Sequence, residues 1–215
     1  MIKAVIFDLD GTLLNTLEDL NEALNYSIDR FGYSKISIDK TRAYIGNGIR
    51  NLILSSINND DSKIDEIFDL FKEFYSANCN NYTKPYDGIK KLIQILKQNG
   101  YKLGVVSNKA KYGLNILVES HFKDEFEVVI GDMEGIPRKP SKEPLLEACR
   151  RLGVSVNEMV YIGDSDVDVL TVKNTGCKGI FVDYGFRDRQ ALLSIGADVV
   201  VSNPMDILKY IKELN

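Results

Sequence analysis

The sequence predicts an α/β protein whose core is a doubly wound parallel sheet, interrupted by an all-helical cap domain. From about residue 84 onward, short apolar runs rich in β-branched residues alternate with segments of helical periodicity, which is typical of βαβ units. The runs are almost continuously apolar, as expected of strands that are covered on both faces. The predicted strands are residues 2–7, 102–106, 126–130, 159–162, 179–182 and 198–201.

Apolar residues spaced three and four apart predict the helices that cover this sheet. They are Ile89, Leu92, Ile93 and Leu96 in a first helix, Leu145, Leu146, Cys149 and Leu152 in a second, and Ile207, Leu208 and Ile211 in a third.

Residues 17–83 break the alternation, because helical stripes follow one another there without a strand between them. We therefore predict an α/β core made of residues 1–15 and 84–215, and a helical cap made of residues 16–83. Two connections on one side of the sheet would let the cap swing as a lid.

Composition and charge exclude several classes of protein. The chain has 215 residues with a net charge of −4 and no basic tract, so nucleic acid is not an expected partner. No apolar stretch is long enough for a membrane span, and the apolar N-terminal run is too short for a secretory signal. Three widely spaced cysteines favour buried free thiols over a zinc or redox site. These features together predict a cytoplasmic protein.

His121 is the only histidine, for which we expect a packing or capping role. A single histidine excludes Ser-His-Asp triads and histidine-based zinc sites. Any catalysis must therefore use carboxylates, lysine, serine or a metal.

Two acidic motifs directly follow predicted strands. Asp8-Leu9-Asp10-Gly11-Thr12 follows the first strand, and Gly163-Asp164-Ser165-Asp166-Val167-Asp168 follows the strand at 159–162. Ligands of open α/β sheets bind at the carboxyl ends of strands, so both motifs should reach one crevice. Either motif could instead be an ordinary turn or helix cap. One helix needs only one cap, however, and three carboxylates in five residues repel one another unless a cation offsets them. Magnesium, which prefers oxygen ligands, fits that need.

Three further motifs are ambiguous when taken singly. Ser107-Asn108-Lys109 ends a strand and could either cap a helix or hold a phosphate oxygen with its hydroxyl and backbone N–H groups. Lys139 in Arg138-Lys139-Pro140 is either a solvated side chain or a cation that offsets phosphoryl charge. Gly46-Asn47-Gly48 lies in the cap without a preceding strand, so it is not a dinucleotide-binding loop.

Taken together and in this order, these motifs resemble the four motifs of the haloacid dehalogenase superfamily. The motifs are Asp8-x-Asp10-Gly11-Thr12, Ser107, Lys139-Pro140 and Gly163-Asp164-Ser165-x-x-Asp168. Gly46-Asn47-Gly48 and Ser107-Asn108-Lys109 are similar to the phosphoglycolate phosphatase branch. The resemblance covers nearly the whole chain and implies a Rossmann-like core that carries a small helical cap.

The resemblance implies a magnesium-dependent phosphatase for small phosphorylated metabolites, with 2-phosphoglycolate as the leading substrate. Asp8 would attack phosphorus, Asp10 would act as acid and base, and Thr12 would orient Asp10. The implied phosphate-binding residues are Leu9, Asp10, Ser107, Asn108 and Lys139. The implied magnesium site comprises Asp8, the backbone carbonyl of Asp10, and Asp164, supported by Asp168. Gly46, Asn47 and Gly48 would form the substrate loop of the cap, and the chain would be a monomer or a weak homodimer.

Four alternatives remain open. A phosphosugar mutase of the same superfamily would also phosphorylate Asp8, but the cap has Gly46-Asn47-Gly48-Ile49-Arg50 in place of a Gly-x-Ser-Arg-type loop. A dehalogenase would lack the Asp10 carboxylate. A phospho-signalling receiver would lack the helical insert, and a non-catalytic binding protein would not need every motif residue to be chemically competent. Nucleotides and sugar phosphates are the other candidate substrates.

Overall fold

The computed structural model describes residues 1–214 and contains a six-stranded parallel sheet in the order β5-β4-β1-β6-β7-β8. The predicted α/β fold class is confirmed, and each predicted core strand is present. The strands of this sheet are β1 (Ala4–Phe7), β4 (Lys102–Ala110), β5 (Val128–Asp132), β6 (Met159–Gly163), β7 (Lys178–Val182) and β8 (Val200–Val201). A separate two-stranded ribbon is formed by β2 (Leu14–Asn15) and β3 (Lys84–Pro85).

Helices cover both faces of the sheet. Val5 and Phe7 of β1 pack into one hydrophobic cluster while Ala4 and Ile6 pack into another, because successive side chains of a strand point to opposite faces. The helices outside the segment between β2 and β3 are α5 (Ile89–Gln98), α6 (Lys111–Phe122), α7 (Glu143–Leu152), α8 (Asp166–Thr175), α9 (Arg189–Ser194) and α10 (Ile207–Glu213). Helices α5, α6 and α10 pack into the first cluster and α7 into the second. This is the doubly wound arrangement that the apolar strands predict.

The segment between β2 and β3 consists of four helices, which we call the helical segment. They are α1 (Leu17–Asp29), α2 (Ile38–Tyr44), α3 (Ile49–Ser56) and α4 (Ile64–Asn78). Helices α1 and α4 pack together through apolar faces, and the ring of Tyr26 stacks on Phe74 with centroids 4.0 Å apart. None of the helices within residues 1–214 is long and apolar enough to span a membrane.

The ribbon of β2 and β3 holds the two ends of the helical segment side by side, with Leu14 paired to Pro85 and Asn15 paired to Lys84. Asp19 reinforces this junction from α1. Its buried carboxylate accepts hydrogen bonds from the backbone N–H groups of Tyr82 and Thr83 and, at 2.6 Å, from the Thr83 hydroxyl. The segment therefore leaves and rejoins the sheet at one place.

We predict that Asp19→Ala lowers the free energy of unfolding by about 2–4 kcal/mol, because it leaves several buried donors without an acceptor. Asp29→Ala, on the same helix but exposed and paired to Lys35 at 3.5 Å, should cost less than about 0.5 kcal/mol. Urea denaturation of both variants measures the difference. Equal stabilities would contradict a structural role for the Asp19 carboxylate.

Candidate active site

The carboxyl ends of β1, β4 and β6 bring the predicted motifs together. Asp8 follows β1, and its backbone N–H donates to the Ile162 carbonyl of β6 at 2.8 Å, which extends the pairing past the end of β1. Ser107 lies in β4, the neighbour of β1 on the other side, and Asp164 follows β6. The central strand thus places Asp8 between the other two motifs.

Asp8 is a buried carboxylate that contacts one lysine. Its Oδ1 accepts the Leu9 backbone N–H at 2.7 Å, and its Oδ2 lies 3.1 Å from Lys139 Nζ. Burial raises the pKa of Asp8 to about 7 against the opposing effect of Lys139. The carboxylates of Asp168 and Asp10 add to the rise. The ionised form of Asp8 therefore depends on nearby positive charge.

Lys139 is held in place by both its backbone and its side chain. The Asn108 side chain accepts the Lys139 N–H and donates to the Lys139 carbonyl, both at 2.9 Å. The Lys139 ammonium donates to Asp168 Oδ1 and to the Tyr161 hydroxyl, each at 2.7 Å. Burial lowers the pKa of Lys139, but the carboxylates of Asp168 and Asp8 outweigh it and leave the pKa raised. Lys139 is therefore a fixed cation beside Asp8.

Asn108 is predicted to bind phosphate, and in the structure it lines the cleft while its side chain bonds to Lys139 and Gly46. Its side-chain oxygen accepts from Lys139, and its NH₂ group donates both to the Lys139 carbonyl and, at 3.2 Å, to the Gly46 carbonyl. Asn108 therefore orients Lys139 and joins it to the loop between α2 and α3. No local sequence pattern indicates this role, because the hydrogen bonds join residues that are far apart in the chain.

Asp164 is wedged between two glycines. Its carboxylate accepts the Thr12 hydroxyl at 2.9 Å and the Phe186 backbone N–H at 2.8 Å. A Cβ added at Gly11 or at Gly185 would overlap the Asp164 carboxylate. Burial raises the pKa of Asp164 well above its usual range, and the nearby acidic groups raise it further. The fold thus forces this carboxylate into a confined, acidic position.

Asp168 lies in the first turn of α8 and is the most fully hydrogen-bonded acid of the site. Its Oδ2 accepts the backbone N–H groups of Asp164 and Ser165 at 3.1 Å and the Ser165 hydroxyl at 2.6 Å, and its Oδ1 accepts from Lys139 and Tyr161. Burial raises the pKa of Asp168, but Lys139 and the other donors outweigh it and leave the pKa lowered.

These carboxylates fit a hard divalent cation. Asp8, Asp164 and Asp168 each place an oxygen within 4.8 Å of the other two, and all three residues are buried. Three adjacent buried carboxylates require compensating charge, and Lys139 supplies only one unit of it. Oxygen donors in this arrangement are of the kind that magnesium prefers.

Asp10 is contacted by a threonine and a lysine on one oxygen. Its Oδ1 accepts the Thr16 hydroxyl at 2.6 Å and the Lys109 ammonium at 2.9 Å, and Lys109 also donates to the Tyr75 hydroxyl at 2.6 Å. The prediction that Thr12 orients Asp10 is wrong, since the tight turn at Gly11 directs Thr12 toward Asp164 instead. Thr16, Lys109 and Tyr75 are contacts that the sequence reasoning missed.

A cleft with about 620 Å³ of empty space lies over these groups. Of the predicted residues, it is lined by Asp8, Asp10, Gly46, Gly48, Ser107, Asn108 and Lys139. Leu9, Thr12, Asn47, Asp164 and Asp168 are not among its lining residues. The apolar part of the lining comes from Leu20, Ile45, Ile49 and Leu52 of the helical segment and from Val167 and Phe186.

Arg187, which the sequence reasoning also missed, joins the loop after β7 to the helical segment. Its guanidinium donates to the carbonyls of Arg42, Ala43 and Ile45 at the end of α2, at 3.0, 3.4 and 3.1 Å. It also pairs with Asp166 at 3.2 Å. The loop that carries Gly46 and Gly48 is thereby held over the cleft.

Comparison with known proteins finds similar proteins over nearly the whole chain. Residues 5–182 match the family model of haloacid dehalogenase-like hydrolases. The chain is 30% identical to a phosphoglycolate phosphatase of Nitrosospira multiformis over 99% of this chain and 96% of the relative. It is 29% identical to an N-acetylmuramic acid 6-phosphate phosphatase of Pseudomonas aeruginosa over 96% and 93% of the two chains. A crystal structure from Lactobacillus delbrueckii, whose assignment as a phosphoglycolate phosphatase is provisional, superposes with a TM-score of 0.91 at 32% identity and covers 97% of this chain and 98% of that one.

We predict that Gly185→Ala lowers the free energy of unfolding by about 1–3 kcal/mol, because its Cβ would overlap both the Gly11 carbonyl and the Asp164 carboxylate. Gly104→Ala in β4 is the matched control. Its Cβ would make ordinary contacts, the nearest at 3.5 Å, so that it should be neutral or stabilising by about 0.4–1 kcal/mol. Chemical denaturation compares the two variants, and equal values would contradict the confinement of Asp164.

Proposed function

Since the chain belongs to the haloacid dehalogenase-like hydrolase family and is a phosphatase of that family, we propose that it hydrolyses small phosphomonoesters with magnesium through an aspartyl-phosphate on Asp8. The observation that carries this proposal is the Asp8 carboxylate, which lines the cleft with Lys139 Nζ 3.1 Å from it. The leading substrate to test is 2-phosphoglycolate, after the name of the Nitrosospira relative.

In the proposed first step, an Asp8 oxygen attacks phosphorus while the ester oxygen leaves. A new oxygen–phosphorus bond forms on Asp8 as the ester bond breaks, and Asp10 donates a proton to the departing oxygen. In the second step Asp10 removes a proton from a water molecule, which attacks the phosphorus, releases inorganic phosphate and restores Asp8. Lys139 and the Ser107 hydroxyl hold the phosphoryl oxygens.

Asp8, Asp164 and the backbone carbonyl of Asp10 would hold the magnesium ion. When bound, the ion supplies positive charge that lets an anionic carboxylate approach an anionic ester. Asp168 keeps Lys139 and the backbone of Asp164 in place through its five hydrogen bonds. The Leu9 backbone N–H would break its hydrogen bond to Asp8 and donate to a phosphoryl oxygen instead.

The cap loop and the apolar wall of the cleft would contact the organic part of the substrate. We propose that residues 16–83 act as a cap domain over the core of residues 1–15 and 84–215, with Gly46, Asn47 and Gly48 as its substrate loop. Cytoplasmic location is proposed with it, and the free thiols of Cys79, Cys149 and Cys177 support a reducing compartment.

We predict that Asp8→Asn lowers phosphate release by at least about 10⁴-fold, because the amide cannot serve as the nucleophile. The assay measures released phosphate from a panel of 2-phosphoglycolate, sugar phosphates and nucleoside monophosphates. Asp39→Asn, at an exposed position in α2, is the control and should leave turnover unchanged. Retained activity in Asp8→Asn would contradict the mechanism. Conversion of a sugar 1-phosphate to its 6-phosphate without phosphate release would favour a mutase instead.

We predict that magnesium raises the melting temperature of the protein by several degrees, because an ion present at about 100 times its Kd stabilises the folded state by about 2.7 kcal/mol. Chelation should remove both this shift and phosphatase turnover. Asp164→Asn should lose the magnesium response, even though relief of carboxylate repulsion can raise its metal-free melting temperature. Asp166→Asn, at the first residue of α8 and paired with Arg187, should keep the response. Turnover that survives chelation would contradict the metal site.

A further inference from the structure

Lys109 is a buried lysine for which the proposed mechanism provides no role. Its side chain is 3% exposed, and its ammonium lies 2.9 Å from Asp10 Oδ1 and 2.6 Å from the Tyr75 hydroxyl. Burial of a charge is costly unless partners compensate it. Asp10 and the Tyr75 hydroxyl compensate the Lys109 ammonium only while it stays in this position. The positions of the Lys109 ammonium, the Asp10 carboxylate and the Tyr75 hydroxyl therefore depend on one another.

Tyr75 fixes Lys109 from the helical segment. It lies in α4, is buried, and stacks on Phe71 with ring centroids 5.4 Å apart. The Lys109 ammonium also lies 4.7 Å from the centroid of the Tyr75 ring. A Cβ added at Gly113 in α6 would come within 3.3 Å of both side chains, so α6 packs closely against this pair. Lys109 is thus confined on three sides.

The two oxygens of Asp10 have different environments. Oδ1 accepts hydrogen bonds from Lys109 and from the Thr16 hydroxyl, at 2.9 and 2.6 Å. Oδ2 receives no hydrogen bond from any donor within residues 1–214, and Asp10 lines the cleft. Because two donors occupy Oδ1, Oδ2 is the oxygen of Asp10 that is left for a substrate in the cleft.

We propose that Lys109, held by Tyr75, is a positioning residue that fixes the Asp10 carboxylate through Oδ1 and so presents Oδ2 to the ester oxygen in the cleft. The inference rests on the proposed role of Asp10 as the acid. Because Tyr75 belongs to the helical segment and Lys109 to β4, this alignment is complete only when the segment lies over the sheet. The leaving oxygen would then be protonated efficiently only in the covered cleft.

The test compares phenyl phosphate with 4-nitrophenyl phosphate, two esters of similar shape whose leaving groups differ in their need for a proton. The measured quantity is kcat/KM, which reports the steps up to the first phosphoryl transfer. General acid catalysis contributes about 10²–10⁴-fold. We expect Lys109→Met to lower kcat/KM for phenyl phosphate about 10-fold to 100-fold more than for 4-nitrophenyl phosphate. Tyr75→Phe, which keeps the ring and removes only the hydroxyl, should change the same ratio in the same direction by about 3-fold to 10-fold.

Matched controls separate positioning from general damage. Tyr33→Phe removes a hydroxyl of the helical segment that bonds exposed Asp60, and Lys97→Met removes an exposed ammonium that pairs with Glu125. Both should leave the ratio of the two kcat/KM values unchanged. In the Lys109→Met/Tyr75→Phe double variant, the ratio should equal that of Lys109→Met, since Tyr75 acts through Lys109.

A uniform loss on both esters would overturn the proposal, because it would mean that Lys109 binds the phosphoryl group or supports only the fold. An unchanged ratio in Tyr75→Phe would also overturn it, and this variant carries the test if Lys109→Met does not fold. The proposed function is tested separately, by wild-type turnover of both esters and its loss in Asp8→Asn.

Discussion

The site depends on the burial of several carboxylates around one lysine at the carboxyl edge of the sheet. Lys139 Nζ lies 3.1 Å from Asp8 and 2.7 Å from Asp168, while Asp164 is enclosed beside them between Gly11 and Gly185. One ammonium cannot balance three buried carboxylates. Burial, followed by the neighbouring carboxylates, raises the pKa of both Asp8 and Asp164. A divalent cation, as proposed above, would offset this repulsion, and the same positive charge would help an anionic phosphate ester to enter.

Much of this arrangement could be predicted from the sequence because it follows from the position of motifs along strands. Asp8, Ser107 and Asp164 come at or near the ends of apolar strands, and parallel strands present their carboxyl ends at one edge. The helices α1, α4, α5, α7 and α10 carry apolar stripes with the expected spacing. The ribbon of β2 and β3 could not be predicted, because two-residue strands are too short to show a periodicity.

The details that could not be predicted are contacts between residues far apart in the chain. Thr12 and Thr16 are chemically equivalent and both lie near Asp10, but only the turn at Gly11 decides that Thr12 reaches Asp164 while Thr16 reaches Asp10. Lys109 likewise follows Ser107 and Asn108 in a strand that was expected to end before them. The strand continues instead to Ala110, with an irregularity after Val106. This extension determines which of the three side chains turns toward Asp10.

The connection between the helical segment and the sheet combines fixed and exchangeable contacts. The β2–β3 ribbon and the buried Asp19 carboxylate are the fixed contacts that join the ends of the segment. Breaking their hydrogen bonds would leave buried polar groups without partners. Over the cleft itself, the polar contacts are the single bonds from Asn108 to Gly46 and from Lys109 to Tyr75, and those of Arg187 to α2. The neutral bond of Asn108 contributes about 0.5–1.5 kcal/mol net, and each bond donated by the charged Lys109 or Arg187 contributes about 1.5–3 kcal/mol. Under the proposal above, the position of the helical segment over the cleft is coupled to Asp10 through Tyr75 and Lys109.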